Sequence, residues 1–296
     1  MGETNPFPDE NNTGHVWDGN LRELKNPPPR WWMIGLWGSV LFVIGYGILY
    51  PFWPMAEGHT PGVIGWTSMR EYERGVAQVE AIRAPYEERI GELGAEKVLA
   101  DPELVRYTVA SSKVLFGDYC SGCHGSGGQG NPGYPILADD YWQYGGTPAK
   151  LIETINQGRR GVMPAHAEIL SEAEIERLAQ FVVTLKSGEE ASDEAWGLFR
   201  GKGCAACHGQ EADGVISRLP NGQTIGVGAP SFRNAIWRFE PGGIESARHT
   251  ITYGVNQPGR EQTRQAEMPA FGTTDRLSEQ EVKKLAIYVH RLGGGL

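Results

Sequence analysis

"FGDYCSGCHGSGGQG" occupies Phe116–Gly130, and "GKGCAACHGQEADG" occupies Gly201–Gly214. Each holds two cysteines separated by two residues and followed at once by a histidine: Cys120, Cys123 and His124, then Cys204, Cys207 and His208. These are the only four cysteines, so none is left for a disulfide framework. A lone C-x-x-C suits a redox dithiol or half of a zinc site. Zinc ribbons place their second pair roughly 15–20 residues away, whereas eighty residues separate Cys123 from Cys204. Dithiol exchange requires no histidine at the next position and does not predict one twice. Covalent haem attachment predicts both, because two thiols at this spacing add to the two vinyl groups of one porphyrin while the adjacent imidazole faces the iron. Two covalently bound haem c groups are therefore expected, with His124 and His208 as axial ligands.

The sixth ligands are sought among methionines. "VMPAH" lies at 162–166 and "EMPAF" at 267–271, which puts Met163 after the first motif and Met268 after the second. Taken in chain order, His124 pairs with Met163 and His208 with Met268. A thioether opposite imidazole stabilises ferrous iron and raises the potential. His166, His249 and His290 do not recur between the copies and are expected as surface or core residues; His15 and His59 are expected in solvated loops. A ligating imidazole needs an acceptor for its other N–H. Pro135 and Pro230, in Gly-rich loops after each motif, keep a free carbonyl and are the expected acceptors. Trp142 and Trp237 are expected to pack the haem edge or the core.

The motifs belong to a larger repeat. "LSEAEIERLAQFVVTL" at 170–185 and "LSEQEVKKLAIYVHRL" at 277–292 agree at half of their positions. Each opens with a capping-box pattern, Ser171/Glu174 and Ser278/Glu281. Apolar residues then recur at helical spacing: Ile175, Leu178, Phe181, Val182 and Leu185, answered by Val282, Leu285, Tyr288, Val289 and Leu292. Each helix is expected to bury that face within its own half. Pro135/Trp142 and Pro230/Trp237 also keep step, as do Gly158 and Gly254. The expected fold is all-α, with two tandem copies of one small helical domain at 106–188 and 189–296.

"WWMIGLWGSVLFVIGYGILYPFWP", residues 31–54, carries no charge and is long enough to cross a lipid bilayer as one helix. Thirty mostly polar residues precede it and no small-residue cleavage site follows, which argues against a cleaved signal peptide. Arg22, Lys25 and Arg30 precede the span, and the first cation after it is Arg70. The positive-inside rule then places tail 1–30 in the cytoplasm and everything beyond 54 outside. Residues 55–105 form a partly helical spacer, interrupted at Pro85. A net charge of −9 argues against nucleic-acid binding and favours a basic partner.

The twin C-x-x-C-H…Met-Pro domains resemble class I cytochromes c. The block "HVWDGNLRELKNPPPRWW" at 15–32, followed by one span ending "YPFWP", is more specific. With the twin domains it resembles the membrane-anchored dihaem subunit (FixP/CcoP type) of cbb3-type cytochrome c oxidases, over nearly the whole chain. That resemblance implies a single-pass protein of the bacterial inner membrane with periplasmic haem domains. It implies electron transfer from a donor cytochrome c toward a monohaem cytochrome c subunit and the catalytic subunit. It implies no catalysis of its own, oxygen chemistry and proton transport belonging to the wider complex. Some members carry two N-terminal spans; this chain has one. Competing functions are an independent tethered carrier, the cytochrome subunit of a periplasmic dehydrogenase, and a dihaem peroxidase, which needs one haem with an open position.

Overall fold

The computed structural model describes residues 7–139, 141–218, 224–234 and 236–293. The chain divides into two units, Met1–Arg83 and Ala84–Leu296.

The first unit begins with an antiparallel hairpin, β1 (Asn12–Trp17) and β2 (Leu21–Leu24), pairing Val16 with Arg22 and Trp17 with Leu21. Asp18 and Gly19 take positive φ, the conformation that an Asp-Gly hairpin turn requires. The turn chemistry of "WDGN" builds this hairpin despite the tail's polar composition, and His15, expected in a solvated loop, lies in a strand. Helix α1 (Arg30–Leu49) follows "NPPP" and stops at Tyr50, just before Pro51. Pro51 explains why the helix is shorter than the apolar run 31–54. Its twenty residues span about 30 Å, the thickness of the hydrocarbon layer. Trp31, Ile34, Leu41 and Phe42 are exposed around it, an apolar surface that lipid would cover.

Helix α2 (Ser68–Glu92) continues through Pro85 instead of breaking there. Residues 81–85 are exposed, so the carbonyl that loses its partner to proline can bond to water. The boundary between the two units falls inside this helix.

The second unit holds α3 (Ala95–Leu99), α4 (Pro102–Tyr119), α5 (Ser121–His124), α6 (Pro148–Gln157), α7 (Glu172–Lys186), α8 (Asp193–Gly201), α9 (Ala205–His208), α10 (Gly243–Tyr253) and α11 (Glu279–His290). Ser171 and Ser278 both complete their capping boxes. Asp101 and Thr147 cap α4 and α6, each with proline at the first helical position. Three two-stranded pieces are the only sheet among the described residues, so the protein is mostly helical.

The packing departs from the sequence expectation at one decisive point. Helix α11 packs against α4 and α6, and α7 packs against α10 and α8. One core joins Phe116, Leu151 and Ile155 to Phe271, Val282, Leu285, Tyr288 and Val289. The other joins Leu178, Phe181, Val182 and Leu185 to Trp196, Phe199, Ala247 and Ile251. The two closing helices are therefore exchanged between the halves, not kept within 106–188 and 189–296. Only six residues separate α7 from α8, and links that short make consecutive helices neighbours. Half-identical apolar faces let either helix fill either groove.

The end of α2 and α3 close over α11, where Ile90, Val98, Leu104 and Ile287 are fully buried. Lys284 is nearly inaccessible, at 7% side-chain exposure, and its Nζ lies 2.5 Å from Glu87 Oε1. Tyr107 Oη donates to the same carboxylate at 2.5 Å and Gln280 Nε2 at 2.6 Å. Burial alone would raise the Glu87 carboxyl; the bonds from Lys284, Tyr107 and Gln280 overcome this and hold it below its ordinary value. A depressed carboxyl stabilises the fold above its unfolded pKa of 4.5 and loses that contribution as the pH falls below it. Lys284→Ala leaves the carboxylate with no cation. About a third of Glu87 is open to water, so the expected loss is below that of a fully buried pair, about 2 kcal/mol. Denaturant titration of wild type and variant at pH 7 measures it, and the difference should shrink at pH 4.

Candidate haem-binding sites

Both attachment motifs fold as a single helical turn. Cys120 closes α4, its N–H donating to the Phe116 carbonyl at 2.9 Å, and His124 N–H donates to Cys120 O at 2.9 Å. His208 N–H donates to Cys204 O at 3.0 Å in the same way. Gly125 and Gly209, with φ of 75° and 82°, then reverse the chain. Gly130 N–H reaches His124 O at 2.7 Å, and Gly214 N–H reaches His208 O at 2.8 Å. The reversal brings each following loop beneath its imidazole. His124 Nδ1 lies 3.0 Å from Pro135 O, and His208 Nδ1 lies 3.1 Å from Pro230 O. A carbonyl only accepts, so the proton sits on Nδ1 and Nε2 keeps its lone pair. Burial pushes both imidazoles below their ordinary value, against the carbonyl bonds, which raise them. Neutral rings with a free Nε2 are the form that ligates a metal.

The four thiols are free; Cys123 and Cys207 are exposed, and Cys120 and Cys204 are half-buried. Burial pushes Cys120 up to about 11 and raises Cys204 as well. Thiols raised in this way are poor exchange nucleophiles near neutral pH. No group of three or more His, Cys, Asp or Glu side chains that could hold an ion occurs among the described residues.

A small, partly open apolar pocket adjoins His208. Its wall includes Cys204, Met163, His166, Phe199, Phe232 and Ile251. Phe232 stacks on the His208 ring with centroids 4.4 Å apart. In the other half Cys120, Leu137, Trp142 and Met268 pack against one core. Trp142 Nε1 and His166 Nδ1 are buried without a hydrogen-bond partner. Two thiols, an imidazole, a thioether and an apolar wall suit a flat iron porphyrin.

The helix exchange carries the methionines with it. Met163 pairs with Val255 through two hydrogen bonds of 3.0 and 2.9 Å, and Met268 pairs with Arg159 through two of 2.8 and 2.9 Å. His166 N–H donates to Ile251 O and Phe271 N–H to Ile155 O, both at 3.0 Å. Gly254 and Gly158 have φ of +75° and +71°, and a Cβ at either would meet the carbonyl of Met163 or Met268 respectively. Met163 thus lies with Cys204 and His208, and Met268 packs into the core that holds Cys120 and Leu151. The chain-order pairing of His124 with Met163 is corrected accordingly, because each Met-Pro segment is bonded to the α6 or α10 end of the opposite half. Pro135, Trp142 and Pro230, Trp237 remain with the motif of their own half. His166 lines the His208 cavity, whereas His290 Nδ1 bonds Gly146 O at 2.8 Å and His249 lies against Tyr253. Phe232 went unremarked in the sequence; it stands two residues after Pro230, as Leu137 does after Pro135, and that offset was its available signal.

A FixP subunit of cbb3-type cytochrome c oxidase from Azorhizobium caulinodans is 34% identical over 294 residues, covering 96% of this chain and 93% of its own. A CcoP subunit from Azospirillum sp. (strain B510) is 35% identical over 302 residues, covering 96% and 95%. The chain belongs to the FixP/CcoP family. Residues 9–57 match the N-terminal domain of cytochrome oxidase-cbb3, FixP, which here comprises the hairpin and α1. Residues 108–182 match cytochrome c oxidase, cbb3-type, subunit III, and 193–293 match cytochrome c. A FixP/CcoP chain with two cytochrome c domains carries two covalent haem c groups. Both matches run in chain order, into α7 in one case and through α11 in the other, so the exchange is invisible to them.

Proposed function

We propose that this protein is the membrane-anchored electron-transfer subunit of a cbb3-type terminal oxidase, holding two haems in series and catalysing no reaction alone. The observation that carries this is the pairing of two complete donor sets in one folded unit. Cys120, Cys123, His124 and Met268 form one; Cys204, Cys207, His208 and Met163 form the other. When bound, each haem supplies one-electron redox chemistry. The protein's own residues would tether each ring through its two cysteines and orient the imidazole through Pro135 or Pro230, with Met268 or Met163 available to the iron. With a histidine and a methionine available to each iron, neither haem would keep an open position for a substrate, which disfavours a peroxidase. The cations before α1 support a cytoplasmic N-terminus, a single pass through the bacterial inner membrane, and periplasmic haem domains. Its partners are the catalytic subunit, the monohaem cytochrome c subunit and a donor cytochrome c.

Intact-mass measurement of mature protein, extracted gently in detergent, tests the proposal. Two added haem masses are expected, with co-purification of a larger haem- and copper-containing subunit. Two haems without that subunit would point to an independent carrier; no added mass would remove the electron-transfer role altogether.

A further inference from the structure

The loops that carry Pro135 and Pro230 are stitched to each other. Tyr141 Oη accepts from the Ser231 N–H at 2.6 Å and reaches Ala229 O at 3.3 Å. Those residues flank Pro230, whose carbonyl takes the His208 Nδ1–H. Two residues on, Gln143 Nε2 donates to Gly228 O and accepts, through Oε1, from Arg238 at 2.6 Å. Arg238 O in turn accepts from Gly133 N–H, in the Pro135 loop, at 2.7 Å.

Proline has no N–H, so a strand carrying it cannot be pinned through that residue's own donor. It can be pinned only through its neighbours, and a neutral phenol, with one donor and one acceptor, serves both. Burial holds the Tyr141 phenol above its ordinary value, so the hydroxyl keeps its proton. Gly214 leaves room for the contact: a Cβ there would lie 2.9 Å from Tyr141 Oη. The repeat makes the device one-sided. Trp142 matches Trp237, which sets Tyr141 against Ile236, a side chain unable to hold a backbone strand by hydrogen bonds.

Building on the two-haem reading, we propose that Tyr141 is a positioning residue for the haem of Cys204, Cys207 and His208. Reaching across from the other half, it fixes the Pro230 carbonyl against His208 Nδ1–H. A firmly held acceptor makes the imidazole a stronger donor to iron, which favours the ferric state and lowers the potential. Loosening that acceptor raises it. The haem of His124, whose Pro135 loop has no equivalent clamp at Ile236, keeps its value.

The test is Tyr141→Phe in the full-length, detergent-extracted protein, with haem content established first by intact mass for wild type and variant. Redox titration should show a raised potential for one haem and none for the other. In protein labelled with ¹⁵N-histidine, the His208 Nδ1–H should exchange with solvent at least tenfold faster, and that of His124 at its wild-type rate. Two bound haems with both potentials unchanged, or both moved alike, overturn the proposal. Wild-type protein without haem fails the underlying reading instead. Should the phenylalanine variant not accumulate, Gln143→Leu, which frees Gly228 at the start of the same strand, is measured. A smaller rise confined to the same haem is expected, and an unchanged potential there overturns the proposal.

Discussion

Met163→Leu alters the haem held by Cys204, Cys207 and His208, and leaves the haem held by Cys120, Cys123 and His124 at its wild-type potential. Met268→Leu does the reverse. Chain order predicts the opposite, since Met163 follows His124 by 39 residues and stands before the second motif. Backbone pairing decides the matter: Met163 is bonded to Val255, beside the C-terminus of α10, and shares a cavity wall with His208. Leucine keeps the apolar volume but cannot donate to iron, so the core survives while the sixth ligand is lost. The ferric–ferrous equilibrium of that haem should move by more than tenfold toward ferric, beyond about 59 mV for a one-electron couple, and the reduced haem should bind carbon monoxide. A Cys123→Ala background marks the first haem, because an unreacted vinyl group stays conjugated with the ring and displaces its absorption band. If the displaced band is the one that responds to Met163→Leu, the crossed arrangement is wrong.

Leu285→Ala is expected to destabilise the second unit by about 2–5 kcal/mol, and to loosen the haem of His124 before that of His208. Leu285 is completely buried, in the core shared by Phe116, Leu151 and Ile155. Those residues belong to α4 and α6, which flank the first attachment motif, although Leu285 itself comes 77 positions after His208. Its truncation removes apolar contact and leaves a cavity among helices that cannot fully collapse. Leu178→Ala in α7, buried among Phe181, Phe199 and Ile251, is the mirror image and acts first at His208. Guanidinium unfolding, followed at the absorption bands of the two haems and by far-ultraviolet circular dichroism, separates the cases. Early loss of the His208 haem in Leu285→Ala would place α11 in the half where chain order puts it.

Much of this was legible in the residues. The C-x-x-C-H turns need only local geometry, one helical turn closed by Gly125 or Gly209. The capping boxes at Ser171 and Ser278 are likewise local, and α1 follows from an uncharged run between "NPPP" and Pro51. The hairpin at Asn12–Leu24 was readable from "WDGN" but was outweighed by a polar, proline-rich context. Pro85 predicts a break on local grounds alone; that the turn around it lies in water is a property of the fold. Tyr141 has no local signature, since its role arises from contacts 88 and 90 positions away; Phe232 has only its offset from Pro230, its role coming from a ring stacked in the fold.

The residue pattern alone specifies the chemistry: which side chains can tether two porphyrins, which can ligate iron, and that an apolar helix anchors the chain. Periodicity also determined that two similar helices must each bury one face. It could not determine which groove each helix fills, because Val282, Leu285 and Val289 offer nearly the same surface as Ile175, Leu178 and Val182. The folded arrangement settles it, through a short link that keeps α7 beside α8 and through backbone pairs joining Met163 to Val255 and Met268 to Arg159. Hydrophobic burial is non-directional and does not distinguish two like partners; hydrogen-bonded backbone and the reach of the connecting chain do.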